Sequence, residues 1–102
     1  MGIVARLAEQ VAVRALSAIV AHFIAAGAVS AAHAVPFTPQ GRAQRRVFTR
    51  MRHFGAIVAL HGELYYLDER ALPSFRKEEL ARMLGVIALT GLAAAGAIAL
   101  GR

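Results

Sequence analysis

The sequence predicts an all-α integral membrane protein, in which two transmembrane helices form a hairpin and a basic amphipathic helical segment joins them. Two apolar stretches, Ala15 to Val35 and Met83 to Leu100, support this fold class. At 1.5 Å per residue they reach about 31 Å and about 27 Å, close to the bilayer's hydrocarbon thickness of about 30 Å. The composition agrees with this fold class. Hydrophobic residues make up 58% of the chain, and charged residues make up 18%, whereas about a quarter of the residues in a soluble domain are charged.

The predicted first helix covers residues 1–36 and carries the first span. No proline precedes Pro36, and alanine, the best helix former, is abundant. The first three turns look interfacial, so the span begins at Ala15. Pro36 and Pro39 end the helix, because proline lacks the N–H donor and restrains the residue before it.

The middle region, residues 37–73, predicts a basic amphipathic helix beginning near Arg45. Its apolar side holds Val47, Phe48, Met51, Phe54 and Val58. Its polar side holds Arg45, Arg46, Thr49, Arg52 and His53, with Arg50 at the margin. Such a helix lies flat in the headgroup region on the matrix or cytoplasmic side, or packs on a partner protein, and both interpretations stay open. We predict that Arg45, Arg46, Arg50 and Arg52 bind anionic lipid.

Two further features of the middle region extend this picture. The segment from Phe54 to Leu60 is apolar on all sides, which leaves a third span open as an alternative. Tyr65 and Tyr66 are typical of an aromatic anchor at the water–lipid boundary. Residues 74–102 then form the second transmembrane helix, with Ser74 placed to cap its first turn.

Charge predicts the partners. Basic residues number 12 and acidic residues 6, and 11 of the basic ones are arginine. This balance would indicate nucleic acid for a soluble protein. Beside membrane spans, anionic lipids such as cardiolipin are the nearer partner, so no nucleic-acid partner is predicted. Rows of small residues, among them Gly91, Ala95 and Ala99, favour packing against other transmembrane subunits.

Catalysis is not predicted. Cysteine is absent, which excludes disulfides, thiolate metal sites and cysteine nucleophiles. The sequence holds no Gly-rich phosphate loop, no H-E-x-x-H motif and no Ser-His-Asp arrangement on a defensible scaffold. No cofactor is therefore predicted in the leading interpretation.

The histidines suggest an alternative to a non-catalytic subunit, namely a subunit that binds a redox cofactor. His22 and His33 lie within or at the edge of the first span, where an ionisable group is a candidate for haem ligation, quinone contact or proton relay. The simpler alternative is a neutral imidazole bonded to a neighbouring helix. His61 stands in Ala59-Leu60-His61-Gly62.

The chain has, in order, a first predicted span, a middle segment with His61, then Tyr66-Leu67-Asp68 and a last predicted span. This order of segments resembles that of the small membrane-anchor subunits of succinate dehydrogenase. This resemblance implies haem b held by the middle-span histidine, here His61, and a quinone nearby. In the haem-anchor hypothesis His22 of the first span is the other candidate ligand. The chain departs from that family because the Asp-Tyr dipeptide is missing and the middle segment is charged at its start.

The functional prediction is a small, non-catalytic accessory subunit of an energy-converting membrane assembly, of the respiratory-chain or ATP-synthase type. The mitochondrial inner membrane is the favoured location and a bacterial plasma membrane the alternative. A haem b and quinone anchor is the second hypothesis, and a self-associating membrane protein is the third.

Overall fold

A computed structural model describes residues 2–85, which fold into three α-helices and a three-stranded antiparallel sheet. The helices are α1 (Gly2–Ala25), α2 (Gly41–Phe54) and α3 (residues 72–85). The strands are β1 (Val35–Pro36), β2 (Ile57–Ala59) and β3 (Leu64–Leu67). Two short 3₁₀ turns lie at Ala31–His33, before β1, and at His61–Glu63, between β2 and β3.

Strand β3 lies in the centre of the sheet, whose order is β1-β3-β2. Tyr65 of β3 pairs with Val35 on one side and with Ala59 on the other. Pro36 lies on the edge strand β1, where a residue without an N–H donor interrupts no ladder.

Strands β2 and β3 form a hairpin because the residues on either side of the turn favour extended backbone. Ile57 and Val58 are β-branched and Tyr65 and Tyr66 are aromatic, the residue types enriched in strands. Gly62 adopts a φ of 70° in the turn between them, a left-handed conformation that glycine reaches without steric cost. The Leu60 N–H closes the turn by donating to the Leu64 carbonyl at 2.7 Å.

The hydrophobic core lies between the three helices and one face of the sheet. Helix α1 contributes Ala15, Ile19 and Phe23, which recur every four residues and so share one face. Aromatic rings extend the core: Phe37 lies 5.3 Å from Phe23 and 4.9 Å from Phe48 between ring centroids. The other buried core side chains are Ala28, Val47, Phe48, Met51, Ala56, Ile57, Leu67 and Phe75.

Helix α1 ends in a Schellman turn at Gly27. The Ala28 N–H donates to the Phe23 carbonyl at 2.9 Å, and the Gly27 N–H donates to the Ile24 carbonyl at 3.0 Å. Gly27 has a φ of 66°, the left-handed conformation that this motif requires. Phe23 and Ala28 are both buried, which is the hydrophobic contact that accompanies the motif.

Helix α2 ends in the same way at Gly55. The Ala56 N–H donates to the Met51 carbonyl at 2.9 Å, and Gly55 has a φ of 97°. Each helix end is then attached to the end of β3. The Leu67 N–H donates to the Ala28 carbonyl and the Asp68 N–H to the Ala56 carbonyl, both at 2.8 Å.

The predicted all-α fold class is wrong. The segment interpreted as an apolar dip into the membrane and an interfacial tyrosine anchor is the β2–β3 hairpin. The physical reason is the turn at Gly62, which lets the β-branched and aromatic runs on either side pair across each other. The alternative of a third span is wrong with it, since Ile57–Ala59 are extended.

The predicted first span is also wrong. Helix α1 ends at Ala25 rather than near Val35, because Gly27 turns the chain. Its Ile19 and Phe23 face a protein core and not lipid. Among the described residues, no helix combines the length and apolar character needed to cross a bilayer.

These findings contradict the integral membrane assignment and the inner-membrane or plasma-membrane location derived from it. Of the second predicted span, Met83 to Leu100, only the start is described, as the end of α3. The rest of that span, with its rows of small residues, lies outside the described residues.

The turn at Gly55 gives a stability prediction. Replacing Gly55 by alanine should lower the free energy of unfolding by about 1–2 kcal/mol, since a Cβ disfavours the left-handed backbone. Gly85 is a matched control because it is helical and a Cβ added there would meet no atom within 4 Å. The same substitution there should raise stability by up to about 1 kcal/mol. Urea unfolding of the two variants measures both signs, and a destabilising Gly85→Ala with a neutral Gly55→Ala would contradict the assignment.

Candidate functional site: the basic face of helix α2

Helix α2 presents a continuous basic surface. Six of its exposed side chains form what we call the basic face: Arg42, Arg45, Arg46, Thr49, Arg52 and His53. The helix contains no aspartate or glutamate. Its opposite side holds Val47, Phe48 and Met51 in the core.

The side chains of the basic face fall into three rows at 3.6 residues per turn. Arg42, Thr49 and His53 lie along the middle of the face, directly opposite the buried side. Arg45 and Arg52 flank the middle row on one side. Arg46 lies on the other side of the middle row, next to His53 and nearer the middle than Arg45 and Arg52 are. The position further round on that side is Arg50, which is paired with Glu79.

Arg50 does not belong to this face. Its Nε and Nη2 donate to the carboxylate oxygens of Glu79 on α3, at 2.8 to 3.2 Å. The Glu79 side chain is 7% exposed and that of Arg50 27% exposed. The pair joins α2 to α3, and its two-pronged geometry fixes the orientation of both helices.

Arg52 is held against an aromatic ring. Its guanidinium carbon lies 5.5 Å from the centre of the Tyr65 ring, within range of a cation–π interaction. Tyr65 in turn packs edge-on against Phe48, with 5.1 Å between ring centroids. Arg52 stays exposed beside this ring.

An open depression of about 290 Å³ adjoins this part of the helix. Thr49, Arg52 and His53 line one side of it, and Ile57 and Ala59 of β2 line the other. The Thr49 hydroxyl donates back to the carbonyl one turn earlier at 2.8 Å, so it is already satisfied within the helix. Arg52 and His53 are therefore the groups through which the depression can bind an anion.

The histidines predicted as haem ligands lie on separate elements. His22 is exposed on α1, with its ring centroid 4.9 Å from that of Phe37. His61 is exposed in the hairpin turn, whereas the resemblance to succinate dehydrogenase anchors requires it on a middle helix. His33 bonds through Nδ1 to the Ser30 hydroxyl at 3.1 Å. Among the described residues, no three His, Asp or Glu side chains form a group able to hold a metal ion.

The structure thus brings together Arg45, Arg46 and Arg52 of the four arginines predicted to bind lipid, and places Arg50 in an ion pair. Sequence reasoning missed Arg42 because it expects the helix to start near Arg45, whereas the helix starts at Gly41. The position of Arg42 seven residues before Thr49 was the signal that could have found it, because seven residues is about two helical turns.

Comparison with known proteins gives no family: no family matches the chain, and no curated protein or solved structure is significantly similar to it.

The ion pair generates a prediction that separates Arg50 from the basic face. Arg50→Ala leaves the Glu79 carboxylate with little solvent and no cation, which should cost about 2–3 kcal/mol of unfolding free energy. Arg46→Ala removes an exposed cation from the same helix and should change stability by no more than about 0.5 kcal/mol. Chemical denaturation followed by circular dichroism compares the two. Equal losses would show that Arg50 contributes only as a surface charge.

Proposed function

We propose that this protein is a nucleic-acid-binding module and that the basic face of α2 is its contact surface. The observation that carries the proposal is the separation of charge on this helix: five exposed cationic or titratable side chains on one side, and no carboxylate on the helix. Arginine binds phosphate through two parallel N–H donors, which makes it the side chain best suited to a phosphate backbone.

The burial of the other side of α2 favours nucleic acid over a membrane surface. An amphipathic helix binds a bilayer by burying its apolar face at the boundary of the headgroups and acyl chains. Val47, Phe48 and Met51 are already buried in the protein core. Helix α2 therefore has cations to offer a ligand but no apolar stripe to insert.

Net charge supports the same partner. The chain carries a formal charge of +6 at neutral pH, and clustered arginines on one helix are the electrostatic footprint of a nucleic-acid-binding surface. The proposed role is binding without catalysis. The accessory-subunit role remains a prediction from the sequence, and anchoring by two membrane spans forms no part of the proposal.

Binding of a fluorescent DNA duplex, followed by anisotropy over a range of salt concentrations, tests the proposal. The logarithm of the association constant should fall linearly with the logarithm of salt concentration, because each phosphate contact releases counterions. Replacing Arg45 and Arg46 together by glutamine should weaken binding and reduce the slope by roughly two.

The matched control replaces Arg76 and Lys77 of α3 by glutamine. Both are exposed and their loss changes the net charge by the same amount, so binding should fall much less. Vesicles containing anionic lipid provide the competing partner. Binding to vesicles with no binding to DNA or RNA would refute the proposal in favour of a lipid headgroup partner, as would equal effects of the two double variants.

A further inference from the structure

We infer that α2 enters the major groove of B-form duplex DNA and that Arg42 reads guanine there. This inference rests on the proposed function and refines it, because it names the form of the nucleic acid and the side chain that confers sequence preference. It depends on the shape of the surface and on the three rows of the basic face.

The shape of the surface fits a wide groove. The basic face lies on one exposed side of a 14-residue helix, which is about 21 Å long at 1.5 Å per residue. The major groove of B-form DNA is about 12 Å wide and admits an α-helix. The major groove of an A-form RNA duplex is too narrow for side chains on a helix to read.

The arrangement of the rows matches the walls and floor of that groove. Phosphates line both walls, and base edges form the floor. With the middle row of the basic face directed at the floor, Arg45 and Arg52 face one wall. Arg46 lies closer to the middle row, on the side toward the other wall. Arg45 and Arg52 then meet the phosphates of one wall, the long side chain of Arg46 reaches toward those of the other, and the middle row reaches the bases.

Within the middle row, Arg42 is the side chain best placed for a base contact. It lies in the first turn of α2, and in helix-turn-helix proteins the N-terminal residues of the recognition helix contact base edges. A guanidinium can donate two hydrogen bonds to O6 and N7 of guanine, the commonest specific contact in the major groove. Thr49 lies two turns further on, and with its hydroxyl bonded to the Arg45 carbonyl it offers its methyl group to a thymine methyl.

Single-stranded nucleic acid fits this surface less well. Non-specific recognition of single strands uses exposed aromatic rings on which bases stack. The aromatic ring beside the basic face, Tyr65, is only partly exposed and is covered by Phe48 and by the Arg52 guanidinium. The exposed rings at the end of the face are His53 and Phe54, and Phe54 packs edge-on against Phe75. The face therefore offers cations for a backbone but no row of free rings on which successive bases could stack.

The experiment selects bound sequences from a pool of DNA duplexes with a randomised centre. The affinity for the selected duplex is then compared with the affinities for an RNA duplex and for single strands of the same sequence. In a separate measurement the selected duplex is methylated at guanine N7 before the protein is added. We expect the DNA duplex to bind most tightly, and N7 methylation to abolish binding at one or more guanines because it fills the position that Arg42 contacts.

Two variants separate base reading from backbone contact. Arg42→Ala should reduce the preference for the selected duplex over the unselected pool by roughly 5- to 150-fold, the discrimination that one bidentate contact provides. Arg45→Ala should weaken binding to the selected duplex and to the unselected pool by a similar factor, so the preference between them stays unchanged. Far-ultraviolet circular dichroism confirms that both variants are folded.

The outcomes distinguish this inference from the proposed function. Equal affinity for duplex DNA, duplex RNA and single strands, or binding insensitive to N7 methylation, would overturn the groove assignment while leaving nucleic-acid binding intact. A sequence preference unaltered by Arg42→Ala would overturn the role of Arg42. Failure to bind any nucleic acid would overturn the proposed function as well.

Discussion

The fold depends on the end of strand β3, where two consecutive backbone amides hold the ends of two helices. The Leu67 and Asp68 N–H groups donate to the carbonyls of Ala28 and Ala56, each of which directly follows the glycine of a Schellman turn. A buried amide or carbonyl left without a partner costs about 1–3 kcal/mol, so neither helix can shift along the strand freely. The side chains behind the two turns, Phe23 and Met51, are fully buried, so each hydrogen bond also positions a large part of the core.

This constraint decides which side of α2 faces solvent. With its C-terminal end attached to β3, the helix buries Val47, Phe48 and Met51, and the arginines on the opposite side remain exposed. Arg50 lies between the two sides, where a free cation would be partly desolvated, and Glu79 neutralises it from α3. One arginine therefore contributes to structure, while the others contribute charge to a surface.

The sequence predicted α2 and the start of α3 well, and the length of α1 and the sheet poorly, for identifiable reasons. Arg45 and Arg46 are followed by Val47 and Phe48 at the spacing of an amphipathic helix. This pattern predicts a helix whether the surroundings are water or lipid. The interpretation of the apolar run from Ala15 to Val35 did depend on the surroundings. Alanine, valine and isoleucine suit a lipid-facing helix and a helix packed on a small core equally well, and only the left-handed turn at Gly27 separates the two. A single glycine is weak evidence in a sequence, because glycine is also common within transmembrane helices.

The site was harder to predict than the helix that carries it. The arginines were identified, but their partner was inferred from membrane spans on either side, and the first of these is a helix of the core. The same arginines fit the phosphates of a lipid headgroup or of nucleic acid. Without membrane spans beside them, the basic composition indicates nucleic acid, as it does for a soluble protein. The apolar side of α2 distinguishes the two partners, because a helix that binds lipid inserts that side into the bilayer, whereas here it is buried in the protein core. Val47, Phe48 and Met51 are buried in the core, and the one exposed apolar side chain of α2, Phe54, packs against Phe75, so α2 binds an anionic partner through its charges. Because α2 is held by β3 and by Glu79, its backbone is already ordered, and binding has to order only the arginine side chains.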